Sequence, residues 1–296
     1  MGRRDGKLVR KLDSLHIITP LLFHNRCDNE AYISETIDLT KINEYLERKN
    51  EVFKAEAKAS ASPGEIPDYF KMTLFHVIVT AMMKTIRLRP QLNRFIANKR
   101  IYQRNEITSS FVVKKKFSDT GDEALAIVRG GDDENIDTIR EQIKKQVYSL
   151  KNGEKDSSTA SMDMVSSLPF FLVRFVAWLV CKLNVHGKVP KAFVATDPYY
   201  TSVVLSNLGS IKLKSGYHHL ANWGTNSIFV VVGEKKMRPF FEEDGTYTMK
   251  DSVELGITID ERLADGYYYS KSIRLMKELL QNPELLETAL SEEVEY

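Results

Sequence analysis

Acidic side chains stand close together near the C-terminal end of the chain, where the sequence reads Gly256-Ile-Thr-Ile-Asp-Glu-Arg-Leu-Ala-Asp-Gly266. Within this segment, the carboxylate of Glu261 is a candidate proton acceptor. A glutamate has an ordinary pKa of about 4.3, which makes it a poor base toward an alcohol near neutral pH. Burial can raise that pKa toward roughly 6–7, where general-base catalysis is efficient. Glu261 is therefore a candidate base if the fold buries it, whereas Asp265-Gly266 alone is also typical of a helix start.

A second polar segment, Ser206-Asn207-Leu208-Gly209, follows a predicted strand about fifty residues before the first. His218 and His219 come twelve and thirteen residues after Ser206. Because adjacent residues of an extended segment point in opposite directions, at most one of these histidines should face a site. A polar loop near Trp223 that happens to carry two histidines is an equally good interpretation of the same residues.

In their order and spacing, these segments resemble the catalytic domain of the chloramphenicol acetyltransferase and 2-oxoacid dehydrogenase acyltransferase superfamily. The C-terminal segment is similar to that family's Asp-His-Arg-Val-x-Asp-Gly motif, and Asn282-Pro283-Glu284-Leu285-Leu286 is similar to the end of its last helix. Ser206–Gly209 matches a Ser-Asn-Leu-Gly-like segment, and Pro90-Gln91-Leu92-Asn93 matches a Pro-x-Leu-Asn sequence. The resemblance extends from about residue 20 to 286, and Glu261 stands where the family has its catalytic histidine.

The resemblance implies an acyl transfer from acyl-CoA to a hydroxyl or amine of a small molecule. The family's histidine removes the acceptor's proton, and a serine, here Ser206, donates a hydrogen bond to the tetrahedral oxyanion. The family's aspartate, here Asp265, pairs with an arginine near the N-terminus, for which Arg26 is the candidate. The segment that carries Tyr217 and Trp223 corresponds to the acceptor pocket.

Three interpretations of the site remain open in the sequence. Glu261 is the base, or another residue such as His218 or His219 replaces it, or the fold is inactive and serves as a binding or scaffold protein. The resemblance also implies a homotrimer with each active site between two subunits. In such a trimer, Glu261 of one subunit and His219 of the next could meet.

Composition limits the other functions that the chain could have. Its 296 residues are 43% hydrophobic and 28% charged with a net charge of +2, so no basic field indicates nucleic acid. Two isolated cysteines lack metal-site spacing and, without a signal peptide, favour the cytoplasm. We predict an N-terminal arm (1–20), one catalytic domain (21–286) and an acidic tail (287–296), with both charged ends solvated. No lipoyl domain fits in the first twenty residues, so no lipoyl group is expected on this chain.

The elements that must position these residues are predicted from hydrophobic periodicity. They give an α+β, two-layer fold with a mixed sheet and packed helices. Strands are expected at 31–37, 109–116, 124–128, 202–205, 227–233 and 253–260, and helices at 72–88, 136–150, 168–183 and 266–280.

The apolar segment 168–183 is shorter than the roughly 20 residues that span a membrane, and Arg174 interrupts it. It is predicted to be a core or trimer-packing helix. The alternatives are a wall for a lipid-like or sterol-like acceptor and a membrane-surface contact.

Overall fold

The computed structural model describes residues 3–61, 69–114, 123–151, 165 and 167–296. The predicted turn at 118–122 and nearly all of the predicted polar linker at 151–161 lie outside the described residues. The domain boundaries proposed from the sequence stay predictions.

Two sheets form within the described part of the chain. The main sheet has seven strands in the order β2-β10-β8-β7-β5-β6, with β9 paired to the first half of β10. β7 is parallel to β5 and β8, and the other pairs are antiparallel, which confirms the mixed α+β class. A small sheet has the order β1-β4-β3. The strands are β1 Gly6–Leu8, β2 Glu30–Asp38, β3 Arg94–Ala97, β4 Arg100–Arg104, β5 Ile107–Lys114, β6 Glu123–Gly130, β7 Val203–Asn207, β8 Ile228–Val232, β9 Lys236–Phe241 and β10 Tyr247–Asp260.

Helices cover one face of the main sheet. α3 is the most buried of them, because its apolar side chains extend around most of its surface, and it packs against α2, α4 and α7. Val203 and Leu205 of β7 point into this helical layer. The helices are α1 Ser14–Leu22, α2 Thr40–Ser60, α3 Leu74–Leu88, α4 Ile136–Lys151, α5 Phe170–Val185, α6 Lys191–Val194 and α7 Gly266–Gln281.

The opposite face of the main sheet, which we call the open face, carries a smaller apolar cluster. Val204, Phe229 and Val231 point to this face and pack against Leu220. The segment 212–220 lies directly on the sheet here. A Cβ built on Gly256 would lie 2.0 Å from the carbonyl oxygen of Gly216, so only glycine allows this close approach.

The charged ends are less solvated than the sequence predicts. The guanidinium of Arg3 is buried and donates to the carboxylate of Asp5 at 2.8 and 2.7 Å, while β1 joins the small sheet. Near the other end, Leu290 is fully buried. The buried Lys84 donates to the carbonyls of Leu285 and Ala289 at 2.8 and 3.0 Å, which holds the C-terminal segment against α3.

Helix α5 differs from the prediction of a core helix. It forms at the expected place, but only Asn184 of its sixteen residues is buried. In the described part of the chain, no helix is long and apolar enough to cross a membrane.

Candidate functional site

The acidic motif forms a tight structure at the end of β10. Asp260 is the last residue of the strand and is completely buried, and a short 3-10 turn, Glu261–Leu263, follows it. The guanidinium of Arg262 donates two hydrogen bonds to the Asp260 carboxylate, at 2.7 and 2.6 Å. Asp265 then caps α7 by accepting from the backbone N–H of Tyr268 at 2.7 Å.

The expected pair between Arg26 and Asp265 does not form. Asp265 is exposed, and the partner of Arg26 is Asp260, with 3.8 Å between Nε of the arginine and Oδ2 of the aspartate. Burial lowers the pKa of Arg26, and the Asp260 carboxylate opposes that effect. Arg26 also donates to the carbonyl of Ala221 at 2.5 Å and to that of Gly224 at 3.3 Å, so it connects the motif to segment 221–224.

Glu261 lies at the surface of the single chain. Its backbone N–H donates to the carbonyl of Asn29 at 3.0 Å, while its side chain is exposed at the rim of a cavity of about 830 Å³. Leu15 of α1 and Phe23, which follows that helix, line the same cavity together with Asp265. A base role for Glu261 requires that its side chain be buried, and a single chain does not bury it.

Ser206 lies far from Glu261 in the same sheet. It alternates with Leu205 and so points to the open face, where it is half-buried. Ser206 pairs with Val231, and Val231 pairs with Gly256, which precedes Glu261 by five residues. With a rise of about 3.4 Å per residue and strands about 4.8 Å apart, Ser206 and Glu261 are separated by roughly 20 Å. One chain therefore does not bring the two residues together.

Of the two histidines, His218 lies against the open face. Its ring stacks on that of Phe229, with 4.1 Å between centroids and an angle of 6°. Phe229 is two residues from Val231 in β8, and Val231 pairs with Ser206. His218 therefore lies about 7 Å along the strand direction from Ser206.

The tautomer of the neutral His218 ring is set by its neighbour. Nδ1 of His218 lies 2.8 Å from the carbonyl oxygen of His219. A carbonyl only accepts, so Nδ1 donates and Nε2 of the neutral ring is left as an acceptor. His219 is exposed and stacks on His218, with 4.7 Å between ring centroids.

Tyr217 and Trp223 occupy different environments. Tyr217 is exposed on the open face, with its ring centroid 5.1 Å from that of Tyr32. The Trp223 Nε1–H donates to the carboxylate of Asp197 at 2.5 Å, and burial raises the pKa of that aspartate. Trp223 is thus held in the protein body, whereas Tyr217 is free to contact a ligand.

Two features of the site were not identified from the sequence. Glu30, opposite Asp260 in β2, accepts hydrogen bonds from the backbone of Leu220 and from the Tyr32 hydroxyl. A cavity of about 910 Å³ begins at Asn207 and is lined by Lys71, Lys212 and Lys235. These lysines come from three separate segments, so no spacing in the sequence indicates that they share a cavity.

No metal site accompanies these residues. Across residues 3–61, 69–114, 123–151 and 167–296, no three His, Cys, Asp or Glu side chains are grouped closely enough to hold a metal ion.

Comparison with known proteins identifies what this arrangement is similar to. Residues 197–288 match the model of the 2-oxoacid dehydrogenases acyltransferase catalytic domain, a range that includes both Ser206 and Glu261. A probable dihydrolipoamide acetyltransferase from Listeria monocytogenes superposes with a TM-score of 0.60 at 16% identity, covering 96% of this chain and 99% of that one. The chain has the chloramphenicol acetyltransferase-like fold.

Further structures share this chloramphenicol acetyltransferase-like fold. The dihydrolipoamide acetyltransferase of Azotobacter vinelandii has a TM-score of 0.58 at 12% identity, with 94% of this chain and 93% of that chain covered. A chloramphenicol acetyltransferase has a TM-score of 0.51 at 12% identity, with 94% and 98% covered. Among curated proteins, no sequence matches this chain. The resemblance and the fold class predicted from the motifs are confirmed.

Proposed function

We propose that this protein is a CoA-dependent acyltransferase that moves an acyl group from acyl-CoA to a hydroxyl or amine of a small molecule. The observation that carries the proposal is the match over residues 197–288, because that range holds both polar motifs. Glu261 lines one cavity, and Asn207, the neighbour of Ser206, lines another.

The active site of the proposed enzyme is shared between subunits of a homotrimer. The separation of roughly 20 Å between Ser206 and Glu261 prevents one chain from presenting both to one substrate. The exposed apolar side chains Leu15 and Phe23 beside Glu261 support a subunit boundary at this cavity. In this arrangement the neighbouring subunit presents its open face, with Ser206, Tyr217 and His218, to the Glu261 cavity.

The proposed reaction is a single acyl transfer. A base takes the proton of the acceptor, whose oxygen or nitrogen attacks the thioester carbonyl carbon of acyl-CoA. The Ser206 hydroxyl donates a hydrogen bond to the oxyanion that forms. The tetrahedral intermediate then collapses, the C–S bond breaks, and the departing CoA thiolate receives the proton from the base.

Two side chains are candidates for the base. Glu261 occupies the position of the family's histidine, and a neighbouring subunit would supply the burial that one chain lacks. His218 is favoured by its hydrogen bond to the carbonyl of His219, which leaves Nε2 ready to accept a proton. We propose Glu261 as the base and His218 as a contact to the acceptor. Substituting each of the two residues distinguishes this assignment from the opposite one.

The lysine-lined cavity next to Asn207 is the proposed CoA site. Lys71, Lys212 and Lys235 are the proposed contacts to the phosphates of CoA, in a cavity that three glutamates also line. Asn207, the neighbour of Ser206, lines the cavity and Ser206 does not, so the proposed thioester arm passes the end of β7 to reach the serine hydroxyl.

Release of free CoA thiol from acyl-CoA tests the proposed function. With a panel of acyl-CoAs and small alcohols and amines, Ser206→Ala is expected to lower the rate about 10²–10³-fold, as loss of an oxyanion donor does. Ser34→Ala, an exposed serine on β2, is the matched control and should keep the native rate. A native rate for Ser206→Ala would contradict the proposal. Absence of turnover with every pair, together with no rise in Tm on adding CoA, would favour the scaffold alternative.

A further inference from the structure

Helix α5 exposes a large group of apolar side chains. Phe170 and Phe171 are 75% and 70% exposed, and Phe175 and Trp178 are more than half exposed. The helix has sixteen residues and is therefore about 24 Å long. A helix that is apolar on every side is normally covered, and no described residue of the chain covers most of α5.

The attachment of α5 leaves most of its length free. Near its C-terminal end, the side chain of Asn184 accepts from the Tyr200 hydroxyl at 2.7 Å. The guanidinium of Arg3 donates to the carbonyls of Asn184 and Val185 at 3.0 and 3.1 Å. The aromatic residues lie at the other end and along the middle, so the helix is fixed at one end and presents its aromatic part outward.

The charged residues in the sequence of α5 and its immediate flanks are all basic. Residues 165–196 contain Arg174, Lys182, Lys188 and Lys191 but no aspartate or glutamate, in a chain with 40 acidic residues. Lys182 lies over the ring of Trp178, with 5.2 Å from Nζ to the ring centroid. Aromatic residues combined with lysine and arginine are typical of helices that lie at the boundary between lipid headgroups and acyl chains.

We propose that α5 is a membrane-docking helix that inserts its aromatic side chains into the surface of a bilayer containing anionic lipids. The basic residues meet the negative headgroups, and the apolar surface leaves water. A second copy of this chain is a poorer partner, because contact through α5 would bring the cationic Arg174 and Lys182 of two chains together. The helix lies on the membrane rather than crossing it, since Arg174 interrupts a segment that is too short to span.

Flotation with lipid vesicles tests this proposal without depending on the proposed function. The native protein should float with vesicles of phosphatidylcholine and phosphatidylglycerol, and less with phosphatidylcholine alone. The double variant Phe171→Glu/Phe175→Glu should bind at least about tenfold more weakly, because charges replace the inserted rings. Phe241→Glu, at a 72% exposed phenylalanine on β9, is the matched control and should bind as the native protein does.

Tryptophan fluorescence places the contact at α5. Emission should shift to shorter wavelength when anionic vesicles are added, and Trp178→Phe should lose that shift while still floating. Lack of flotation with anionic vesicles, or equal flotation of the double variant, would overturn the proposal. Light scattering without lipid provides a further check. If the native protein and Phe241→Glu form a larger assembly and the double variant does not, the proposal is overturned in favour of a protein partner. Acyl-CoA turnover without vesicles should be equal in both variants, which keeps this test separate from that of the acyltransferase function.

Discussion

The carboxylate of Asp260 lies between two buried guanidinium groups, those of Arg262 and Arg26. Removing the negative charge leaves both cations buried without compensation. Asp260→Asn should therefore lower the free energy of unfolding by about 3–5 kcal/mol. Asp265→Ala, which removes only a helix cap, should cost about 1 kcal/mol. Urea unfolding of both variants measures the difference, and equal costs would mean that Asp260 is not the residue that holds the motif.

Substitution of the two candidate bases separates their roles. If Glu261 is the base, Glu261→Gln keeps the shape of the side chain but cannot accept a proton, so turnover should fall by about 10²–10⁴-fold while CoA still raises Tm. His218→Asn should then raise KM for the acceptor more than it lowers kcat. The reverse pattern, with turnover lost in His218→Asn and largely kept in Glu261→Gln, would assign the base to His218.

At the scale of residues, the sequence indicates which segments form the site more reliably than it indicates which side chains pair with each other. Asp265 at the start of a helix was open to two interpretations, and the structure shows the cap. The partner of Arg26 lies five positions earlier, at Asp260, because the end of β10 carries that side chain inward. Pairing across more than two hundred residues depends on strand register, which the spacing of a motif does not contain.

At the scale of elements, the start of α3 depends on a neutral histidine. Burial, together with the nearby Arg140, lowers the pKa of His76 from 6.5 to about 4. Nδ1 of His76 accepts from the backbone N–H of Thr73 at 3.0 Å and completes a capping box. A protonated ring could not accept that bond.

The stability of the protein should therefore fall as the pH falls from about 6.5 to about 4. In that window the unfolded chain binds a proton at His76 and the folded chain does not, so about 3 kcal/mol is lost by pH 4. Urea unfolding across this range should show a shallower pH dependence in His76→Gln, whose amide oxygen can still accept from Thr73. An unchanged slope would contradict the assignment.

The sequence predicts the elements correctly where the hydrophobic periodicity is strong, and it misses elements that are short. α3 and α7 form at nearly the expected residues, β2 and β10 contain the expected strands, and β7 and β8 overlap them. The hairpin of β3 and β4 was missed, because its turn is formed by Asn98 and Lys99 with positive φ of 46° and 59° and has no glycine to indicate it. The exposure of α5 was also missed, since an apolar helix predicts burial and the sequence does not name what covers it.

At the scale of the whole molecule, the order of the motifs is sufficient to predict the fold. The proposed division of the site between subunits is predicted only through the resemblance, because composition and periodicity carry no information about neighbouring subunits. In the structure, strand register keeps Glu261 and Ser206 apart, and this separation supports a trimer with shared sites. Light scattering should accordingly give three times the mass of one chain.

Complementation between two inactive variants tests the shared site most directly. Chains carrying Ser206→Ala and chains carrying Glu261→Gln are purified separately and also co-expressed with different tags, so that mixed trimers can be isolated. The account predicts that the mixture regains about a quarter of the native thiol-release rate, because random assembly joins a native Glu261 to a native Ser206 at about one boundary in four. Isolated mixed trimers that are no more active than either variant alone would contradict it.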